Sequence, residues 1–248
     1  TPSGVSGSSK LTKITDGAVV FNGSSDYLSI AHSTDFDLTN GDFTLEGYFH
    51  HNHTSGYITG LGVWRENSGS DYWSYDLRMT QNGTVPAFLW STNGTDVSGT
   101  LTATTPTGNS AWHHIAVTRS GTSLRIFVDG KLEASTTTSD TFNTAQYQPF
   151  ICGYRGSSYY NGFMSNVRLI KGTALYTSSF APPTRTLTNV TNTKLLTCQS
   201  PTNVKSSTIG PTIGTSVNTR FNSNFESIPT TVNSLSVTNN GSVSTTSA

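Results

Sequence analysis

The acidic residues are the first candidates for chemistry, because hydrolysis of a glycosidic bond requires two carboxyl groups. In the retaining reaction these groups stand about 5 to 5.5 Å apart, a spacing that alternate residues of one strand can provide. The chain has four glutamates, Glu46, Glu66, Glu133 and Glu226, and none has an aspartate two residues away. No spacing assigns a Ser-His-Asp triad either. We therefore predict that the chain is not an enzyme and that Glu46 is a hydrogen-bonded sheet residue.

Metal ligands are sparse. His51 and His53 would share one face of a strand, but the spacing supplies no third ligand, so we interpret them as part of a solvated strand end. Calcium needs six to eight oxygen ligands, and Asp71 and Asp76 are the only acids in a suitable loop. We expect no metal and no cofactor, with calcium as the alternative.

Two polar loops are rich in the residue types that bind sugars. Their sequences are ENSGSDYWSY and YRGSSYYNG. Aromatic rings stack on the apolar faces of sugars, while Asp, Asn and Arg side chains bond to the hydroxyls. We predict a carbohydrate site formed by Asp71, Tyr72, Trp73, Tyr154, Arg155, Tyr159, Tyr160 and Asn161. The alternative is that these aromatic rings pack under the loops or against a neighbouring subunit.

Short alternating apolar runs must position these loops. In FTLEGYFH the residues Phe43, Leu45 and Phe49 fall on one face of a strand, and Asp129-Gly130 is typical of a two-residue hairpin turn. No helical period persists for three turns, so the pattern predicts an all-β, antiparallel, two-sheet sandwich. Lys and Arg total 14 and so do Asp and Glu, which disfavours nucleic acid as a partner. No apolar run is long enough for membrane insertion.

The ends of the chain differ in composition from its middle. We interpret residues 1–14 as a linker, residues 15–200 as the sandwich and residues 201–248 as a Ser/Thr-rich extension. The extension carries Phe221, Phe225 and Ile228 in a polar stretch, which suggests an anchor that orders on a partner. A tail that folds back on its own sandwich is the alternative. The sequence leaves open whether Cys152 and Cys198 pair.

Three stretches together resemble a known family. They are GAVVFNGSSDYLSI followed by GDFTLEGYF, then AWHHIAVTRSGTSLRIFVDGKLEAS, then GFMSNVRLIKGTALY. Their order and spacing are similar to those of concanavalin A-like lectin/glucanase domains of the laminin G type. The resemblance implies a jelly-roll sandwich in which these stretches form the scaffold.

A further stretch resembles a narrower group. Its sequence is SNVRLIKGTALYTSSFAPPTRTLTNVTNTKLLTCQS, which is similar to a segment of virion structural proteins from marine bacteriophages, notably cyanophages. This resemblance implies a non-enzymatic structural and adhesion protein of a phage particle, as a capsid decoration or tail fibre component. Its implied partners are other virion proteins, in multiple copies, and host surface polysaccharide. The alternatives are a secreted or cell-surface lectin-like module and, less favoured, a glycoside hydrolase.

Overall fold

A computed structural model describes residues 17–52, 58–65, 72–80, 84–144, 150–151, 159–211, 213–215 and 220–222. The strands are β1 (Ala18–Asn22), β2 (Leu28–Ile30), β3 (Phe43–His51), β4 (Ile58–Arg65), β5 (Tyr72–Met79), β6 (Pro86–Trp90), β7 (Gly99–Thr102), β8 (Trp112–Ser120), β9 (Ser123–Val128), β10 (Lys131–Thr137), β11 (Phe150–Ile151), β12 (Asn161–Lys171), β13 (Thr193–Thr197), β14 (Ser207–Ile209), β15 (Ile213–Thr215) and β16 (Arg220–Asn222). One 3-10 helix, Thr34–Phe36, follows β2. In the part of the chain so described, no helix is long and apolar enough to cross a membrane.

The strands form two antiparallel sheets. The nine-stranded sheet has the order β10-β9-β8-β3-β12-β1-β16, and β13 joins it beside β12 with β14 beside β13. The seven-stranded sheet has the order β15-β2-β11-β4-β5-β6-β7. All pairings are antiparallel. The predicted all-β jelly-roll sandwich is therefore confirmed.

The core lies between the two sheets and follows the alternation of the sequence. Phe43, Leu45 and Phe49 of β3 point into it, as predicted, and each is at most 1% exposed. They meet inward residues of the opposite sheet such as Phe88, whose ring lies 5.8 Å from that of Phe43. Because both inner faces are apolar, association of the sheets removes these side chains from water.

A segment without regular secondary structure covers the outer face of the nine-stranded sheet. We call this segment, residues 172–192, the strap. Thr118 donates a hydrogen bond to the Tyr176 carbonyl oxygen at 2.7 Å, and Tyr48 donates one to the Pro183 carbonyl oxygen. Phe127 of β9 packs edge-on against Phe180, with the ring centroids 5.4 Å apart. The strap explains why the outward residues of β3 are buried although they do not face the core.

The hairpin between β9 and β10 fixes one point of the strap. Asp129 and Gly130 have φ angles of 55° and 76°, which a two-residue turn of this kind needs. The Phe180 amide donates to the Gly130 carbonyl oxygen at 2.8 Å. A side chain at Gly130 would clash with the Phe180 carbonyl oxygen, so glycine also permits this close approach.

The sandwich does not end at Ser200, and the predicted boundary is corrected here. β14 pairs with β13, β15 with β2 and β16 with β1, so the extension adds strands to both sheets. Ile213 of β15 is 1% exposed and belongs to the core. The sequence interpretation failed because these strands are three residues each, too short to show an alternation.

Candidate functional site

Two tryptophans stack on the outer face of the seven-stranded sheet. The rings of Trp64 and Trp73 lie 4.6 Å apart with an interplanar angle of 13°. Val63 pairs with Tyr75 but Trp64 pairs with Trp73, so β5 carries one extra residue, Ser74, at this point. Such a bulge re-aims the side chain beside it. Without the extra residue, Trp73 would point into the core as Tyr75 does. With it, the Trp73 side chain points to the outer face and packs against Trp64.

An ion pair supports the stacked rings from below. Arg78 Nε lies 2.7 Å from Asp76 Oδ2, and the Arg78 guanidinium carbon lies 5.0 Å from the centroid of Trp64. Asp76 sits opposite Gly62 on β4, where an added Cβ would approach Asp76 Oδ1 to 3.1 Å. Both charged side chains are almost fully buried. The pair therefore leaves no net charge under the rings and holds Trp64 in place.

The exposure of side chains on this face differs between its strands. Trp64 is 2% exposed, Trp73 is half-buried, and Leu89 of β6 is 9% exposed. Thr100 and Thr102 of β7 are exposed, and Thr100 lies opposite Leu89 in the sheet. We name this surface the Trp73 face and define it by Trp64, Trp73, Asp76, Arg78, Leu89, Thr100 and Thr102. It combines an aromatic ring, an aliphatic side chain and hydroxyl groups, which is the chemistry of a sugar platform.

The predicted sugar-binding residues are divided by the structure. Asp71, Tyr154 and Arg155 lie outside the described residues. Tyr72 is the first residue of β5, and its side chain is likewise not among those described. Among the predicted residues whose side chains are described, Trp73 alone lies on the Trp73 face.

The interpretation of Tyr160 as an exposed stacking ring is wrong. Its side chain is 0% exposed, and its ring packs edge-on against Phe21 with the centroids 6.0 Å apart. Tyr159 beside it is half-buried, and Asn161 donates to the Asn52 carbonyl oxygen at 3.3 Å. Asn161 begins β12 in the nine-stranded sheet, whereas Trp73 lies on the other sheet. Tyr160 of the YRGSSYYNG stretch is thus a core residue, whereas its neighbour Tyr159 is partly exposed.

Sequence reasoning missed the loop that borders Trp73. Residues 91–98 connect β6 to β7, and the Trp73 amide donates to the Gly94 carbonyl oxygen at 3.0 Å. Leu89 and Thr100 also went unnoticed as site residues. The signal was the stretch NGTD at residues 93–96, a turn pattern between the apolar runs PAFLW and GTLT, which predicts a hairpin loop beside β5.

Glu46 is the centre of a buried polar cluster under the strap. Its carboxylate accepts hydrogen bonds from Arg168 Nε at 2.8 Å, from Tyr176 Oη at 2.9 Å and lies 3.0 Å from His114 Nε2. Burial favours the neutral acid, but the hydrogen bond of His114 and the positive charge of Arg168 outweigh burial and lower the pKa of Glu46. A carboxylate held in this way cannot deliver a proton to a substrate. The prediction that Glu46 is a hydrogen-bonded sheet residue is confirmed.

In the described part of the chain, no group of three or more His, Cys, Asp or Glu side chains converges. His51, which the sequence analysis assigned to a solvated strand end, is instead fully buried. His51 Nε2 lies 2.9 Å from Thr107 Oγ1, and Asp76 pairs with Arg78. His53 and Asp71 lie outside the described residues. Cys198 is buried as a free thiol, while Cys152 is not described.

The fold is an antiparallel two-sheet sandwich whose seven-stranded sheet has an aromatic outer face. The model of the concanavalin A-like lectin/glucanases superfamily, in its laminin G form, matches residues 22–175. The chain belongs to this superfamily. No curated protein matches its sequence.

Solved structures show the same fold. A "putative carbohydrate binding protein" from Bacteroides ovatus has a TM-score of 0.60 at 17% identity, over 88% of this chain. The chain spans 61% of the length of that protein. A pentraxin from Limulus polyphemus has a TM-score of 0.53 at 11% identity, covering 85% of this chain and 96% of the pentraxin. The CBM40 module of a Ruminococcus gnavus sialidase has a TM-score of 0.50 at 13% identity, covering 68% of this chain and 95% of the module.

Proposed function

We propose that the chain is a carbohydrate-binding module that holds glycans on the Trp73 face. The observation that carries this proposal is the half-buried Trp73 ring, stacked on Trp64 beside the exposed hydroxyl groups of β7. A ring fixed from behind can receive the apolar face of a sugar without losing rotamer entropy on binding. The carbohydrate-binding protein and CBM40 module of the same fold support this function by analogy.

The module acts without hydrolysing its ligand. Glu46 is buried under the strap and ionised, and Glu133 accepts hydrogen bonds from Thr104 and the Thr105 amide. Neither is on the Trp73 face, and neither has a second carboxylate among its hydrogen-bond or ion-pair partners in the described residues. Two cooperating carboxyl groups are what glycoside hydrolysis needs.

Substitution of the stacking ring tests the proposed site. Trp73→Ala should weaken binding of neutral oligosaccharides about tenfold, because the stacking surface is lost. Titration calorimetry measures the affinity, after a glycan array has selected the ligand. Thermal unfolding of the same variant shows whether the sandwich persists.

Phe163→Ala is the matched control. Phe163 is also a half-buried aromatic residue, but it packs against Trp112 on the nine-stranded sheet. This variant should bind as the wild type does. Equal binding by the wild type and Trp73→Ala would reject the Trp73 face as the site.

The setting of the module remains a prediction from sequence resemblance. We propose display outside the cell, either on a phage particle with other virion proteins or on a cell surface, with host or environmental polysaccharide as the ligand. Much of the stretch that resembles virion proteins is the strap, which serves the sandwich itself. Mass spectrometry of purified particles distinguishes the virion setting from secretion by a cell.

A further inference from the structure

The loop of residues 91–98 is tied directly to Trp73. Besides the bond from the Trp73 amide to Gly94, the Asn143 side chain donates to the Trp73 carbonyl oxygen at 3.1 Å. Gly94 has a φ of 85°, and a Cβ there would lie 2.5 Å from Asn143 Nδ2. These bonds fix the position of the loop relative to Trp73.

Hydrogen bonds within the loop hold Asp96 in place. Asn93 Oδ1 accepts from the amides of Thr95 and Asp96, both at 2.9 Å. Asn93 Nδ2 in turn donates to Asp96 Oδ2 at 2.9 Å, and the Thr95 hydroxyl donates to the same oxygen at 3.2 Å. Asp96 Oδ1 accepts no hydrogen bond from the residues that the structure describes. Asp96 is exposed, so this oxygen is open to a ligand hydroxyl.

The charge of Asp96 is not neutralised by any described neighbour. On the described part of the Trp73 face, the other charged side chains are Asp76 and Arg78, which pair with each other. An anion brought to this rim would meet the Asp96 carboxylate, and like charges at short range repel. A neutral sugar would instead offer hydroxyl donors to Oδ1 in a charge-assisted hydrogen bond.

We infer that Asp96 selects neutral, hydroxyl-rich glycans at the Trp73 face and rejects uronic, sulfated and other anionic glycans. This inference rests on the proposed function, because it assigns the specificity of the same site. Trp73 supplies stacking that any pyranose can use, whereas Asp96 distinguishes ligands by their charge. Trp73 therefore provides the affinity of the site, and Asp96 provides its selectivity.

Asp96→Asn tests this inference, because it retains the shape of the side chain and replaces a free acceptor with an amide donor. The probes are neutral gluco-, galacto-, manno- and xylo-oligosaccharides, with oligogalacturonide and sulfated galacto-oligosaccharide as anionic counterparts. The wild type should bind a neutral probe and not its anionic counterpart. The variant should bind the neutral probe about tenfold more weakly and gain measurable binding to an anionic one.

Asp35→Asn is the control, since Asp35 is half exposed and pairs with Lys194 at 3.0 Å, next to β2. It removes the same charge from the chain and should leave both affinities unchanged. If Trp73→Ala weakens binding but Asp96→Asn changes nothing, the proposed function holds and the role of Asp96 is rejected. A wild type that prefers anionic probes also rejects it. No binding to any probe would reject the proposed function itself.

Discussion

At the scale of single residues, burial changes what a polar group does. Glu46 is withdrawn from water but accepts bonds from Arg168, His114 and Tyr176, so its charge is compensated on all sides. A buried ion pair stabilises little relative to an apolar replacement, but removal of one partner leaves an uncompensated charge. Glu46 is therefore a point at which the strap and the sheet depend on each other.

Glu46→Gln should lower the free energy of unfolding at pH 7 by about 3 kcal/mol, because Arg168 would remain buried without a counter-charge. Folding lowers the pKa of this carboxyl below the value of about 4.3 that it has in the unfolded chain. The carboxylate therefore stabilises the folded state fully above about pH 4.3, and this stabilisation is lost as the pH falls through the pKa of the folded state. The wild type should therefore lose more stability than Glu46→Gln between pH 6 and pH 2. Urea unfolding across this range measures both effects.

Asp35→Asn serves as the reference, because it breaks a surface ion pair with Lys194 that should contribute less than about 1 kcal/mol. Other acids titrate in all three proteins. At Glu133, for example, burial raises the pKa, but hydrogen bonds from Lys131, Thr104 and Thr105 outweigh burial and lower the pKa to about 2. A Glu46→Gln variant with unchanged stability at pH 7 would contradict the role of the cluster.

The sequence predicted residue roles where they depend on alternation and failed where they depend on a bulge or a turn. Glu46 alternates with Leu45 and Gly47, so its place on the outward face of β3 was predictable. Trp73 and Tyr160 stand in similar polar loops. The extra residue Ser74 in β5 places the Trp73 ring on the outer face, whereas the Tyr160 ring, directly before β12, packs in the core.

At the scale of elements, the strap replaces a further layer of secondary structure. It has no period that a sequence pattern could reveal, and its order comes from bonds to side chains of β3, β8 and β12. The hairpin of β9 and β10 was predicted from Asp129-Gly130. The hairpin also binds the strap at Phe180, and this contact could not be predicted because the two segments are distant in sequence.

Gly130→Ala should displace the strap near Phe180, because the new methyl group would clash with the Phe180 carbonyl oxygen. We expect a loss of stability of about 2 kcal/mol or more, combining the positive φ and the clash, and faster proteolysis within residues 172–192. Limited proteolysis with mass spectrometry locates the cleavage.

Gly121→Ala separates the two causes. Gly121 also has a positive φ, of 58°, but a Cβ there would meet nothing within 4 Å. Gly121→Ala should lower the free energy of unfolding by about 1 kcal/mol, through backbone strain alone, and leave the strap protected from proteolysis. Equal proteolysis of the two variants would mean that Gly130 does not seat the strap.

At the scale of the whole molecule, residues after Ser200 complete the sandwich. A chain ending at Ser200 lacks β14, β15 and β16 and exposes the β1 and β2 edges to water. It should unfold at a clearly lower temperature than the full chain, because the core residue Ile213 and the edge pairings are lost.

A chain ending at Asn222 is the matched comparison. It keeps every described strand, including β16, whose Phe221 pairs with Val19 of β1 and so belongs to the sandwich and not to a separate anchor. It removes Phe225 and Ile228, which lie outside the described residues and which we still predict to be part of an assembly anchor. It should melt like the full chain and fail to form higher assemblies. Calorimetry and light scattering measure these two properties, and normal assembly of this shortened chain would exclude an anchor in residues 223–248.

The pairing of the first two strands sets the order in which the chain can fold during synthesis. β1 is paired only with β12 and β16, and β2 only with β11 and β15, among the described strands. These partners leave the ribosome more than a hundred residues later, so the apolar N-terminal strands remain without their native neighbours for much of translation. β3 must likewise wait for β8 and β12. Such distant pairings make folding slow and leave strand edges open to other nascent chains until the later strands are made.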